Sequence, residues 1–254
     1  MPDITHTDVA AYSRLAKPGS PLRMVLLEVM ALQPKVGTWI TQATSGSAIC
    51  QYDRATGEAS AYTVRYQNQN VGNLVHEMIH VAVNESYGLD FINFAIPADS
   101  ELPERVYTDS GYCSNEAERQ TAAMKAGTAS MTRIEGTLMR LIGWANASKE
   151  LTEQQRTTVV EKLTYGTLTP HKEYDTVITQ VLVWLFEWGY PTVLASGPMQ
   201  GPKPVVNALY EEVEKAVLAA YQARKAARVL LEAARVKEVL RKAMALRRKQ
   251  MGMD

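Results

Sequence analysis

The sequence predicts a mostly helical α+β fold, and three observations carry that expectation. Apolar residues recur at helical spacing over most of the chain's length. Strand-like alternation is confined to a short region between residues 37 and 67. With 254 residues and 46% hydrophobic content, the chain can bury a sizeable core. Composition divides it into a body over residues 1–190, a Pro/Gly-rich linker over 191–204 and a basic helical extension over 205–254.

The elements follow in order. Ser20 and Pro21 are an N-cap and N1 pair for a helix over Pro21–Leu32, with Leu22, Val25, Leu26, Val29 and Met30 inward and Pro34 ending it. Three short strands follow, Gly37–Ala43, Ala48–Tyr52 and Ala59–Gln67, and a Gly-containing turn at 53–58 suggests a small antiparallel meander. A helix over Val71–Tyr87 stops at Gly88. Residues 89–114 read as loop. Helical patterns resume over Asn115–Ile142 and Leu151–Tyr165, and Thr169-Pro170-His171 reads as a break. Asp175–Trp188 is strongly apolar, its tryptophans expected in the core. The extension, with no Gly or Pro between Val205 and Met251, reads as one long helix or a hairpin. Val206, Leu209, Val213, Val217 and Ala220 form a stripe along its first part.

One helix carries a pattern with chemistry in it. His76 and His80 are four residues apart, so their imidazoles share a face at a spacing suited to two ligands of one zinc ion. Glu77 lies between them, placed to take a proton from a zinc-activated water. The remaining residues from Asn73 to Asn84 are uncharged, as a buried helix requires.

A catalytic zinc needs a further protein ligand. Val83 and Ser86 stand where a metzincin has Gly and a third ligand, which excludes that class. Asn115-Glu116-Ala117-Glu118 offers two carboxylates. On a helical wheel Glu116 falls with Ala123, Met124, Met131 and Ile134, on the inward side, which selects it. Glu118 is the alternative, and Cys113 and Asp90 are more distant ones. For a donor to the developing oxyanion the candidates are His171, Tyr107, Tyr112, Tyr165 and Tyr174, with His171 first.

His76-Glu77-Met78-Ile79-His80 followed by Asn115-Glu116 resembles the gluzincin pattern of thermolysin-like zinc peptidases. The resemblance implies a zincin-like domain, Glu77 as general base and Glu116 as third ligand. Gln120 departs from it, standing where those enzymes carry an Asp that orients a zinc histidine. The order of helix, small sheet and HExxH helix is similar to bacterial effector and polymorphic-toxin metallopeptidases, including those carried on type VI secretion spikes. That similarity implies a secreted toxin delivered without a cleavable leader, a protein or peptide substrate, and a cognate immunity protein or secretion-apparatus partner. The rival expectations are a zinc amidase acting on cell-wall peptides and a non-catalytic, metal-stabilised binding module.

Charge and cysteine content narrow the field. The 27 basic and 27 acidic residues balance, so nothing global points to nucleic acid or an anionic membrane. The cysteines, Cys50 and Cys113, are not a disulfide framework. The longest apolar run, Val181–Phe186, is too short to cross a bilayer, and the first residues are not a Sec-type leader.

Overall fold

The computed structural model describes residues 3–52, 59–67, 71–87, 107–108, 111–112, 134–168, 170–190 and 207–251. These residues are mostly helical, with a small three-stranded mixed sheet. Helices α1 (Asp3–Leu15) and α2 (Pro21–Leu32) come first. They are joined at Gly19, whose φ of 77° lies where only glycine is unstrained. Ser20 caps α2 as expected, its Oγ accepting the Arg23 N–H at 3.3 Å. Leu22, Val25, Leu26 and Val29 are buried.

The sheet contains β1 (Val36–Ile40), β2 (Gln42–Tyr52) and β3 (Ala59–Gln67). It corrects the expected antiparallel meander. The order is β1-β3-β2, with β1 parallel and β2 antiparallel to β3. Ile40 is opposite Arg65 and Gln42 opposite Gln67, so the chain crosses the end of β3 from one edge to the other. The physical reason is burial. Tyr62, Val64 and Tyr66 are all buried, so β3 takes the middle, and the more polar β2 takes an edge.

Helix α3 (Val71–Tyr87) follows the sheet and has α1, α2, α6 and α7 as well as β2 and β3 packed around it. Leu74, Val75, Met78, Ile79, Val81 and Ala82 fill those contacts. Short strands β4 (Tyr107–Thr108) and β5 (Gly111–Tyr112) pair with each other. Residues 134–147 are helical (α4). Helix α5 (Glu153–Leu168) starts on a capping box, in which Thr152 and Gln155 exchange side chain-to-backbone hydrogen bonds. Helix α6 (Pro170–Glu187) begins at Pro170, so the break expected at Thr169-Pro170-His171 is in part a helix start. Trp184 and Trp188 stack on its core-facing side.

Helix α7 (Ala208–Gln250) runs for 43 residues as a single helix. Its first half belongs to the core, where Leu209, Tyr210, Val213, Val217 and Ala220 are buried against the neighbouring helices. Arg224 closes that contact. It is completely buried and donates to Glu28 Oε2 on α2 at 2.8 Å and to Asp175 Oδ2 on α6 at 2.6 Å. One turn on, Arg228 donates to Glu28 Oε1 at 3.2 Å and to Ser86 Oγ near the end of α3 at 3.0 Å. Two cations and two carboxylates thus tie α7 to three other helices. Beyond Arg228 every described side chain of α7 is exposed.

Candidate metal centre

His76 and His80 point from α3 toward the first turn of α6, as their four-residue spacing dictates. Both are about 95% buried. Their ring centroids are 4.9 Å apart and the rings lie nearly perpendicular. The carboxylate that meets them is Glu173. Its Oε2 lies 3.2 Å from His76 Nε2 and 3.6 Å from His80 Nε2. The three side chains offer one ligand atom each, all within 4.8 Å of one another, and could hold a metal ion.

Secondary contacts fix the Glu173 carboxylate. Thr176 Oγ1 lies 3.0 Å from Oε2, and the Tyr165 hydroxyl donates to Oε1 at 3.3 Å. Burial would raise the Glu173 pKa, but the His76 hydrogen bond, the two imidazoles and Thr176 outweigh it and hold it at about 2. Burial pushes both imidazoles the other way, His80 down to about 3 with help from the charges of His76 and Lys162. One carboxylate and two neutral imidazoles at neutral pH are the protonation states that divalent-metal ligands adopt. The donor set therefore fits a metal, and it fits zinc among others.

Glu77 is buried beside this group under the edge strand β2. The reason is Gly46. A Cβ at that position would overlap Glu77 Oε1 and lie 2.8 Å from Glu77 Cδ and 2.9 Å from Asn73 Nδ2. Only glycine lets the strand come this close. Gly46→Val is therefore expected to push the Glu77 carboxylate out of place. Denaturant unfolding should show a loss of about 1–3 kcal/mol, the cost of forcing a side chain into a filled space.

Helix α5 supplies the fourth side. Lys162 and Tyr165, one turn apart, stand where the Glu77 and Glu173 charges act on them. Lys162 Nζ lies 5.1 Å from the centre of the Tyr165 ring. Burial lowers the Lys162 pKa and raises that of Tyr165, the two carboxylates opposing the first shift and adding to the second.

The structure thus unites His76, Glu77 and His80, and places Tyr165, one of the candidate oxyanion donors, at the rim. His171 lies in the first turn of α6, two residues before Glu173, with its side chain outside the described residues. Glu116, Glu118, Cys113, Asp90 and Gln120 also lie outside them. Reading the sequence alone missed Glu173 and Lys162. The available signal for Glu173 was Thr169-Pro170, a cap-and-proline pair like Ser20-Pro21. It starts a helix on which Glu173, Thr176, Val177 and Gln180 share one face.

These pKa shifts have a consequence for the metal-free chain. The imidazoles titrate normally near 6.5 when unfolded and lower when folded, so the unfolded state binds more protons below that pH. Glu173 acts in the same direction at lower pH, between 4.5 and about 2. Unfolding monitored by circular dichroism should show stability falling as pH drops from 6.5 toward 3. His80→Leu should flatten that slope.

Among the described residues no helix is long and apolar enough to cross a membrane. Comparison with family models, with curated proteins and with solved structures found no match to this chain.

Proposed function

We propose that the chain is a zinc-dependent hydrolase of peptide bonds, with His76, His80 and Glu173 holding the metal and Glu77 as general base. The observation that carries this reading is the convergence of both Nε2 atoms on Glu173 Oε2 in a buried group with Glu77 beside it. When bound, zinc would acidify a water and polarise the scissile carbonyl. The protein's own groups do the rest. Glu77, buried and within reach of the Lys162 charge, accepts the proton. Lys162 stabilises developing negative charge, and Tyr165, whose hydroxyl donates to Glu173 Oε1, holds that carboxylate in place. Gln180, buried two turns along α6 from Glu173, is close enough to His76 to favour its protonated form.

The position of β2 favours an extended peptide over other amides. Its partner in the sheet is β3, on one side, and its Gly46 backbone lies against Glu77. A substrate strand added to the other side would run past the general base.

In this reading Glu173, rather than Glu116, completes the metal set. Elemental analysis and metal titration of two variants test it. Glu173→Ala should weaken zinc binding by more than about 100-fold and abolish cleavage of a denatured protein substrate. Glu116→Ala should bind zinc like the parent. The reverse pattern would return the third ligand to Glu116, and a natively purified parent protein without metal would sink the hydrolase reading.

A further inference from the structure

The distal half of α7 presents a surface that neither the core nor the metal centre uses. Val229, Val236, Leu240 and Met244 are all more than half exposed. At about 100° per residue they fall within roughly 80° of one another on the helix. Leu230 and Val239, equally exposed, widen that arc to roughly half the circumference. The same segment, residues 229–251, contains seven Lys or Arg and two Glu. Lys237, Arg241 and Arg248 flank one side of the arc, Lys249 lies opposite it, and Arg247, near the C-terminal end, and Glu232 fall within it.

The chemistry of this face selects its partner. A second copy would bring like charge to like charge along the whole segment. A single partner helix covers a narrower stripe than half a circumference. Nucleic acid would leave the aliphatic arc unused, and no aromatic residue follows Tyr221 for stacking on bases. A broad apolar arc flanked by cations fits an anionic lipid surface, into which the arc sinks while Lys and Arg stems reach the phosphates.

We infer that Val229–Met251 of α7 lies in the plane of an anionic bilayer surface, with Val229, Val236, Leu240 and Met244 toward the acyl chains. This inference does not depend on the metal-centre reading. The test uses the full chain sedimented with two kinds of vesicle, pure phosphatidylcholine and equal parts phosphatidylcholine and phosphatidylglycerol. The chain pellets with the mixed vesicles and stays in solution with the neutral ones, and added salt weakens the binding.

Two variants separate the contributions, each with an unfolding midpoint matching the parent because the replaced side chains are exposed. Lys237→Gln with Arg248→Gln weakens binding by about tenfold or more. Val236→Ser with Leu240→Ser does the same through lost apolar burial. Three outcomes overturn the inference: no pelleting with anionic vesicles, equal pelleting with both kinds, or binding indifferent to the serine pair. So does preference for a soluble acidic amphipathic peptide over the mixed vesicles.

Discussion

Glu77→Gln is expected to lower hydrolysis by about 10²–10⁴-fold, the range that a positioned general base contributes. The replacement keeps the shape of the side chain and removes the basic oxygen. Because Gly46 leaves room only for a side chain of this size and position, the amide should occupy the same place. The two imidazoles and Glu173 are untouched, so zinc content should equal that of the parent. The unfolding midpoint should hold or rise, since a buried charge is replaced by a neutral group. A variant with full metal content that cleaves as fast as the parent would remove Glu77 from the chemistry.

Arg224→Ala should cost about 3–5 kcal/mol, measured by denaturant unfolding. Little of that comes from the strength of the ion pairs themselves. The side chain is completely buried, and removing it strands the Glu28 carboxylate, whose side chain is 6% exposed, with only Arg228 for a partner. Asp175 loses its Arg224 hydrogen bond at the same time. The companion variant Arg224→Met with Glu28→Gln removes charge from both sides and should recover much of the loss. If the single and double variants are equally unstable, the cost lies in the hydrogen bond lost at Asp175 and not in the stranded Glu28 charge.

What the sequence revealed, and what it hid, has a physical pattern. Local signals were legible. Ser20-Pro21 set the start of α2, and the His76–His80 spacing set one face of α3. Both depend only on residues within a turn or two. Partnerships across the chain were not legible. The parallel pairing of β1 with β3 depends on which strand is buried most, and that is decided by helices packed later. Glu173 sits nearly a hundred residues from the histidines, and its role becomes apparent only when α6 is laid against α3. The extension's first half has an apolar stripe that was visible, yet its buried arginine resembled the other cations of a basic helix. Within α7 Arg224 continues the stripe of Leu209, Val213, Val217 and Ala220 while Lys225 lies about 100° away, but nothing local shows that a cation can be buried there. The difference is made by Glu28 and Asp175.

The Arg224 and Arg228 contacts also set an order of assembly. Glu28 and its arginine partners are separated by 196 and 200 positions along the chain. A chain emerging from a ribosome makes the helix of His76 and His80 early, yet that helix lacks one of its walls until residue 228 has appeared. A truncation placed in the Pro/Gly segment would therefore leave α3 without its α7 wall. It would leave the buried Glu28 carboxylate without either of its arginine partners.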